Sequence, residues 1–189
     1  MKALWLDREF KYDGSQLRSL FAYLEHGVLG DSIVAWQGPC EVTLEHMVDG
    51  EDQRAGAEIR GDKMVHFIIE KFDCSLLAAV ALQRLLAAIV KDVVQEKALS
   101  SATAQVLHRD GDDIYHGQNK FSISIATVSP TSALIHFAVN VVNEGTPVPT
   151  LALQDLKLDA ADFAKTVLDR FTAETKSVVQ ATQKVHWVR

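Results

Sequence analysis

Apolar residues recur along this chain with two different periods, one suited to strands and one to helices. Met64–Phe72 (MVHFIIEKF) reads as a strand, with Val65, Phe67 and Ile69 on one face and His66 and Ile68 on the other. Asp112–His116 is a short strand, and Gly117-Gln118-Asn119 supplies turn residues that tolerate positive φ. Lys120–Val128 and Ala133–Val142 are β-branched and apolar enough for core strands, parted by a Ser-Pro-Thr-Ser break. Ser32–Trp36 is a further strand, which Gly38-Pro39 is expected to stop. Shorter strand segments fall at Ala3–Leu6, Glu9–Tyr12, Glu41–Leu44 and Thr103–His108, and the tail Val185–Arg189 adds an edge strand.

The helical period appears three times. Asp13 is placed as an N-cap with Gln16 at the capping-box position, ahead of Leu17, Leu20, Phe21 and Leu24, and Gly27 ends that helix. Cys74–Glu96 is a long helix expected to be buried; Gln83-Arg84 interrupts its greasiest run, which is too short to span a membrane. Asp159 caps a last helix, where Phe163, Val167, Phe171 and Val178 form a stripe up to Gln183. Between strands lies a polar stretch, Glu45–Lys63, with Gly50, Gly56 and Gly61 and no sustained period. A loop of that length inside a compact domain is more often functional than idle. Strands flanked by helices, with no repeats or linkers, predict a single α+β domain over residues 1–189, built on a mixed, mostly antiparallel sheet.

Composition narrows the function classes. Apolar residues make up 48% and charged residues 23%, a globular balance, and the net charge of −6 gives no basic footprint for nucleic acid or an anionic membrane. The start MKALWLDREF has no apolar core of a signal peptide, which predicts a cytoplasmic protein. Cys40 and Cys74 lie far apart without metal or redox spacing and read as reduced structural thiols. Glu45, His46, Asp49, Glu51 and Asp52 match no recognised metal spacing, so no metal site is expected. Trp5, Trp36 and Trp187 suit a core or an interface as well as a pocket.

The chemistry concentrates in Gly111–Asn143. Lys120 opens a strand just after the turn, and His136 and Asn140 share one face of the next strand, about 13 Å apart. Polar groups within a sheet are costly unless something pairs with them, as on a ligand-binding face. An ordinary exposed lysine, a satisfied core histidine and an asparagine holding a neighbouring loop are the alternatives. Three pieces, Asp113-Ile114, Lys120-Phe121-Ser122-Ile123 and His136-Phe137-Ala138-Val139-Asn140-Val141, resemble the hairpin and following strand of biotin and lipoate protein ligases and octanoyltransferases. The whole chain also resembles an uncharacterised prokaryotic family, domain of unknown function 366, expected to share that fold with its core like that of class II synthetases.

The resemblance implies that Lys120 contacts an acyl carbonyl or phosphate, where a fixed ammonium stabilises developing negative charge. It places Arg54, Gly56 and Arg60 on a ligand loop, with His136 and Asn140 beside the substrate; His66, on the strand Met64–Phe72, is a further candidate substrate-binding residue. Two departures stand out. The triple glycine of the lipoate-ligase loop is reduced to Gly56, with Glu58 where phosphate would sit, and no cysteine follows Asn140 in Asn143–Leu151 to carry an acyl group. Two readings therefore stay open: acyl or adenylyl transfer on a carboxylate-containing substrate, or a ligand-binding or partner-interaction module with an eroded site. A small-molecule ligand is expected in both; the cofactor is unknown and homodimerisation is left open.

Overall fold

The computed structural model describes residues 1–188, and Arg189 lies outside the described residues. In chain order its strands are β1 (Lys2–Trp5), β2 (Ser32–Val42), β3 (Ile59–Phe72), β4 (His108–Asp110), β5 (Asp113–His116), β6 (Asn119–Lys120), β7 (Ser122–Val128) and β8 (Ser132–Asn140). The helices are α1 (Phe21–His26), α2 (Gly50–Ala55), α3 (Leu76–Lys97), α4 (Ala102–Gln105) and α5 (Ala160–Gln183). The main sheet has the order β1-β2-β3-β8-β7; β1 runs parallel to β2 and every other pair is antiparallel. β4, β5 and β6 make a separate small sheet. This is the mixed, mostly antiparallel α+β architecture that the apolar pattern predicts.

The sheet buries both faces, and the two faces differ. Ile33, Val65, Phe67, Ile69, Ile135 and Phe137 point to one side, where α3 and α5 close the larger core with Leu86, Val90, Phe163 and Phe171. Helical caps set where those helices begin: Ser75 accepts from the Ala78 amide at 3.2 Å, and Asp159 from the Asp162 amide at 2.8 Å. On the other side Val34, Trp36, Met64, Ile68 and Ala138 meet Tyr12, from the chain between β1 and α1, and Phe21 at the start of α1. Among the described residues no helix longer than α1 covers that side, so part of it stays open beneath α2 and the loop after β8.

Several local expectations are corrected. Thr103–His108 is not a strand: Ser101 caps the Ala104 amide at 3.2 Å, and α4 forms before the chain turns into β4. It belongs to neither strand of the main sheet. Gly38-Pro39 does not stop β2, which continues through a register shift between Gly38 and Cys40. The backbone of Phe10 crosses so close that a Cβ on Gly38 would sit 1.9 Å from its carbonyl oxygen, so only glycine allows the crossing. The Lys120–Val128 strand divides at the fully buried Phe121: Asn119–Lys120 pairs with β5, and Ser122–Val128 pairs with β8. Gln16 Oε1 accepts from the Asp13 amide at 3.2 Å as a capping box requires, but Asp13 Oδ1 accepts from the Ser15 amide at 2.9 Å; turns follow and the helix proper starts at Phe21. Leu20 adopts φ 64° there, and its amide is held by the buried carboxylate of Glu70 at 3.0 Å. Glu45–Lys63 is not one loop but a 3-10 turn, α2 and the start of β3, and Val185–Val188 form no strand.

Candidate functional site

A cavity of about 420 Å³ lies on the open face of the sheet, within the size range of small-molecule sites. Its floor is Met64 of β3, Ile123 and Ile125 of β7, and His136 and Asn140 of β8. Tyr12 enters from the N-terminal segment, which a bridge to Cys40 ties to β2. Lys120 closes one end, and Arg60 stands on the wall formed by β3.

His136 and His66 form a linked pair beneath this floor. His66 Nε2 lies 3.1 Å from the Gly38 carbonyl oxygen, and its Nδ1 lies 3.1 Å from His136 Nε2. A carbonyl only accepts, so His66 donates from Nε2 and accepts at Nδ1; His136 then donates from Nε2, leaving its Nδ1 as a bare acceptor. Burial holds both rings neutral: it pushes His66 down to about 4, against the raising effect of the Gly38 carbonyl. Burial and the neighbouring His66 also lower His136 well below its ordinary value. The Tyr12 ring stacks on His136 at 3.7 Å between centroids, and burial pushes its hydroxyl well above the usual phenol range, so it stays protonated.

Asn140 is first of all a brace. Its Nδ2 donates to the carbonyls of Lys120 at 3.1 Å and Leu151 at 3.3 Å, and because both partners can only accept, the amide orientation is fixed. Oδ1 is left over. Among the described residues Tyr12 Oη, His136 Nδ1 and Asn140 Oδ1 have no hydrogen-bond partner, yet none is sealed from solvent. Each side chain is only 3% exposed, so that residual access lies on the cavity they share.

The two cations on the cavity wall are engaged. Lys120 Nζ sits 2.7 Å from Asp113 Oδ2 and 5.9 Å from the Tyr115 ring centre. Burial works against the Lys120 ammonium, but the Asp113 hydrogen bond and charge outweigh it and raise its pKa. Burial likewise raises Asp113, with Lys120 opposing. Arg60 Nε binds Glu58 at 2.8 Å on a half-exposed surface. Asp112, on the cavity edge, accepts from Gln83 Nε2 at 2.7 Å and Ser124 Oγ at 2.6 Å.

Of the residues singled out in the sequence, Lys120, Arg60, His136 and Asn140 meet at this cavity, whereas His66 lies beneath it and supports His136. Arg54 ends α2 away from the wall. Gly56 is the C-cap of that helix at φ 62°, a left-handed position for which glycine is the usual choice, so its role is to stop a helix. Tyr12, Asp112 and Asp113 complete the site; Tyr12 gave no signal, because its approach depends on the crossing over Gly38. Cys40 is buried, and burial pushes its thiol up to about 12. Among the described residues no group of three or more His, Cys, Asp or Glu side chains is arranged to hold a metal, and no helix is long and apolar enough to cross a membrane.

In fold the chain is similar to biotin and lipoate protein ligases. Biotin protein ligase from Aquifex aeolicus, solved in complex with biotin and ATP, superposes with a TM-score of 0.59 at 15% identity, over 93% of this chain and 70% of that one. Within that fold, the chain belongs to the family described as Domain of unknown function (DUF366), matched over residues 1–186. A protein of unknown function from Pyrococcus horikoshi shares 40% identity and a TM-score of 0.93, covering 100% of this chain and 99% of that one. An uncharacterized protein of Methanocaldococcus jannaschii is 32% identical over 168 residues, 86% of this chain and 73% of its own length.

Proposed function

We propose that this protein binds a small molecule in the cavity floored by His136 and Asn140, as a ligase-like fold that has given up nucleotide use. The observation that carries the reading is the convergence of Lys120, His136 and Asn140 on one cavity of about 420 Å³, large enough for a biotin-sized guest. Loss of nucleotide use is supported by three features. Gly56 is committed to a helix cap, Arg60 is paired with Glu58, and the neighbouring segment carries Asp49, Asp52 and Glu58 where a triphosphate would need amides and free cations. The reading includes action in the cytoplasm, which the two free thiols support.

A second reading, acyl or adenylyl transfer on a carboxylate-containing substrate, is favoured by the Lys120 ammonium at the cavity end. Such a transfer would not pass through an acyl-cysteine. Cys40 is held protonated by burial, and Cys74 stands before α3 outside the cavity wall.

The test is a thermal-shift panel of ATP with Mg²⁺, biotin, lipoate, octanoate, acyl-CoA, hexylamine and hexanamide, run on the wild type and on Val148→Trp, which adds bulk to the cavity wall from an exposed position. A ligand at a thousand times its Kd adds about 4 kcal/mol. The binding reading expects at least one nucleotide-free compound to stabilise the wild type and not Val148→Trp. Stabilisation by ATP with Mg²⁺ alone would restore the adenylating reading, and equal shifts in both proteins would remove the cavity from consideration.

A further inference from the structure

We propose that the ligand of this cavity carries its recognised head group as a protonated amine, and that carboxylates and phosphates are disfavoured there. The inference rests on the small-molecule reading above and names its chemical class. Two independent observations support it.

The first is the set of unused polar atoms. His136 Nδ1 and Asn140 Oδ1 can only accept, the former because the chain of donors from His136 to His66 to the Gly38 carbonyl fixes the tautomers, the latter because Nδ2 is spent on two carbonyls. Tyr12 Oη accepts as well as donates. All three belong to side chains 3% exposed, and an unmet acceptor in such a place costs free energy until a donor arrives. An ammonium beside the stacked Tyr12 and His136 rings offers donors and no acceptor; a carboxylate offers no donor. A carboxylate at His136 Nδ1 would set lone pair against lone pair.

The second is charge. Five carboxylates line the cavity (Asp49, Asp52, Glu58, Asp112 and Asp113) against two cationic side chains, Arg60 and Lys120. Both cations are neutralised by carboxylates of that same set, Glu58 and Asp113. Asp49, Asp52 and Asp112 have no cationic partner among the described residues. Asp112 is turned away from His136, since its partners Ser124, which pairs with Phe137, and Gln83 of α3 both lie on the opposite face of the sheet. A cation in the cavity is met by the uncompensated charge of Asp49 and Asp52, and low-dielectric walls strengthen that field. Between the polar ends, Met64, Ile59 and Ile123 leave an apolar path that suits an alkyl body.

Binding of the matched series hexylamine, hexanamide and hexanoate, measured by calorimetry, decides the point because only the head group changes. The wild type is expected to bind hexylamine at least tenfold more tightly than hexanoate. Hexanamide should fall between them, and the amine's advantage should shrink several-fold in Asp52→Asn. Ring resonances of His136 should move on adding hexylamine, and Val148→Trp should abolish the effect. Tighter binding of hexanoate, at a site that Val148→Trp still blocks, overturns the amine assignment while leaving the cavity reading intact. Hexanamide equal to hexylamine removes the charge argument and overturns it too. Binding of all three unaffected by Val148→Trp, or no binding at all, overturns the amine assignment together with the reading it rests on.

Discussion

His66 and His136 carry a physical cost that their burial makes plain. Both rings sit neutral in the folded protein with their pKa values lowered by burial, His66 to about 4 from an ordinary 6.5. Above pH 6.5 both rings are neutral whether the chain is folded or not. Below it the unfolded chain takes up protons that the folded one refuses, so stability falls as pH drops from 6.5 towards about 4. The melting midpoint should decline across that window, and less steeply in the double variant His66→Gln, His136→Gln. Identical slopes in the two proteins would mean that carboxylates alone carry the acid sensitivity. The same two residues show what a sequence can reveal. Alternation along Met64–Phe72 put His66 on the face opposite Val65, and spacing put His136 and Asn140 on one face. Which ring nitrogen is bare needed the Gly38 carbonyl, a backbone atom of a third strand.

Among the elements, α3 is the one whose placement the apolar pattern made plain. Leu86 is fully buried against the sheet and Leu77 is 82% exposed on the outer surface. Leu86→Ala should cost about 2–5 kcal/mol by lost burial and a residual cavity, whereas Leu77→Ala should stay within about 0.5 kcal/mol. Urea unfolding of both variants checks this; a Leu77→Ala cost approaching that of Leu86→Ala would show that the outer face of α3 is covered in solution. The elements misjudged were short ones governed by a single contact. Thr103–His108 has β-branched residues, but one cap from Ser101 commits it to a helical turn. The first helix starts late because Leu20 is bent into a left-handed conformation and anchored by Glu70, fifty residues away. No local preference encodes a bond of that separation.

For the molecule as a whole, β2, β3 and β8 each contribute to both hydrophobic clusters, one under α3 and α5 and one around Trp36. Neither cluster can dissolve without disturbing the strands that hold the other, so a single cooperative transition is expected. In a chain carrying Trp5→Phe and Trp187→Phe, Trp36 fluorescence and far-ultraviolet circular dichroism should report the same midpoint. An earlier loss of Trp36 fluorescence would show that the cavity face opens on its own.

Periodicity and caps by themselves determined the sheet-and-helix architecture, the buried α3 and α5, and the sidedness of the strands, because those depend on burying apolar positions at a fixed spacing along one element. The hairpin residues also pointed to the fold class and to Lys120, His136 and Asn140. Tertiary structure decided the rest. It brought Tyr12 over Gly38, tied Lys120 to Asp113, spent Gly56 on a helix end, and turned Asn140 into both a brace and an acceptor. Those assignments depend on contacts between segments far apart in the chain, where charge and hydrogen-bond capacity are settled by whichever group arrives opposite.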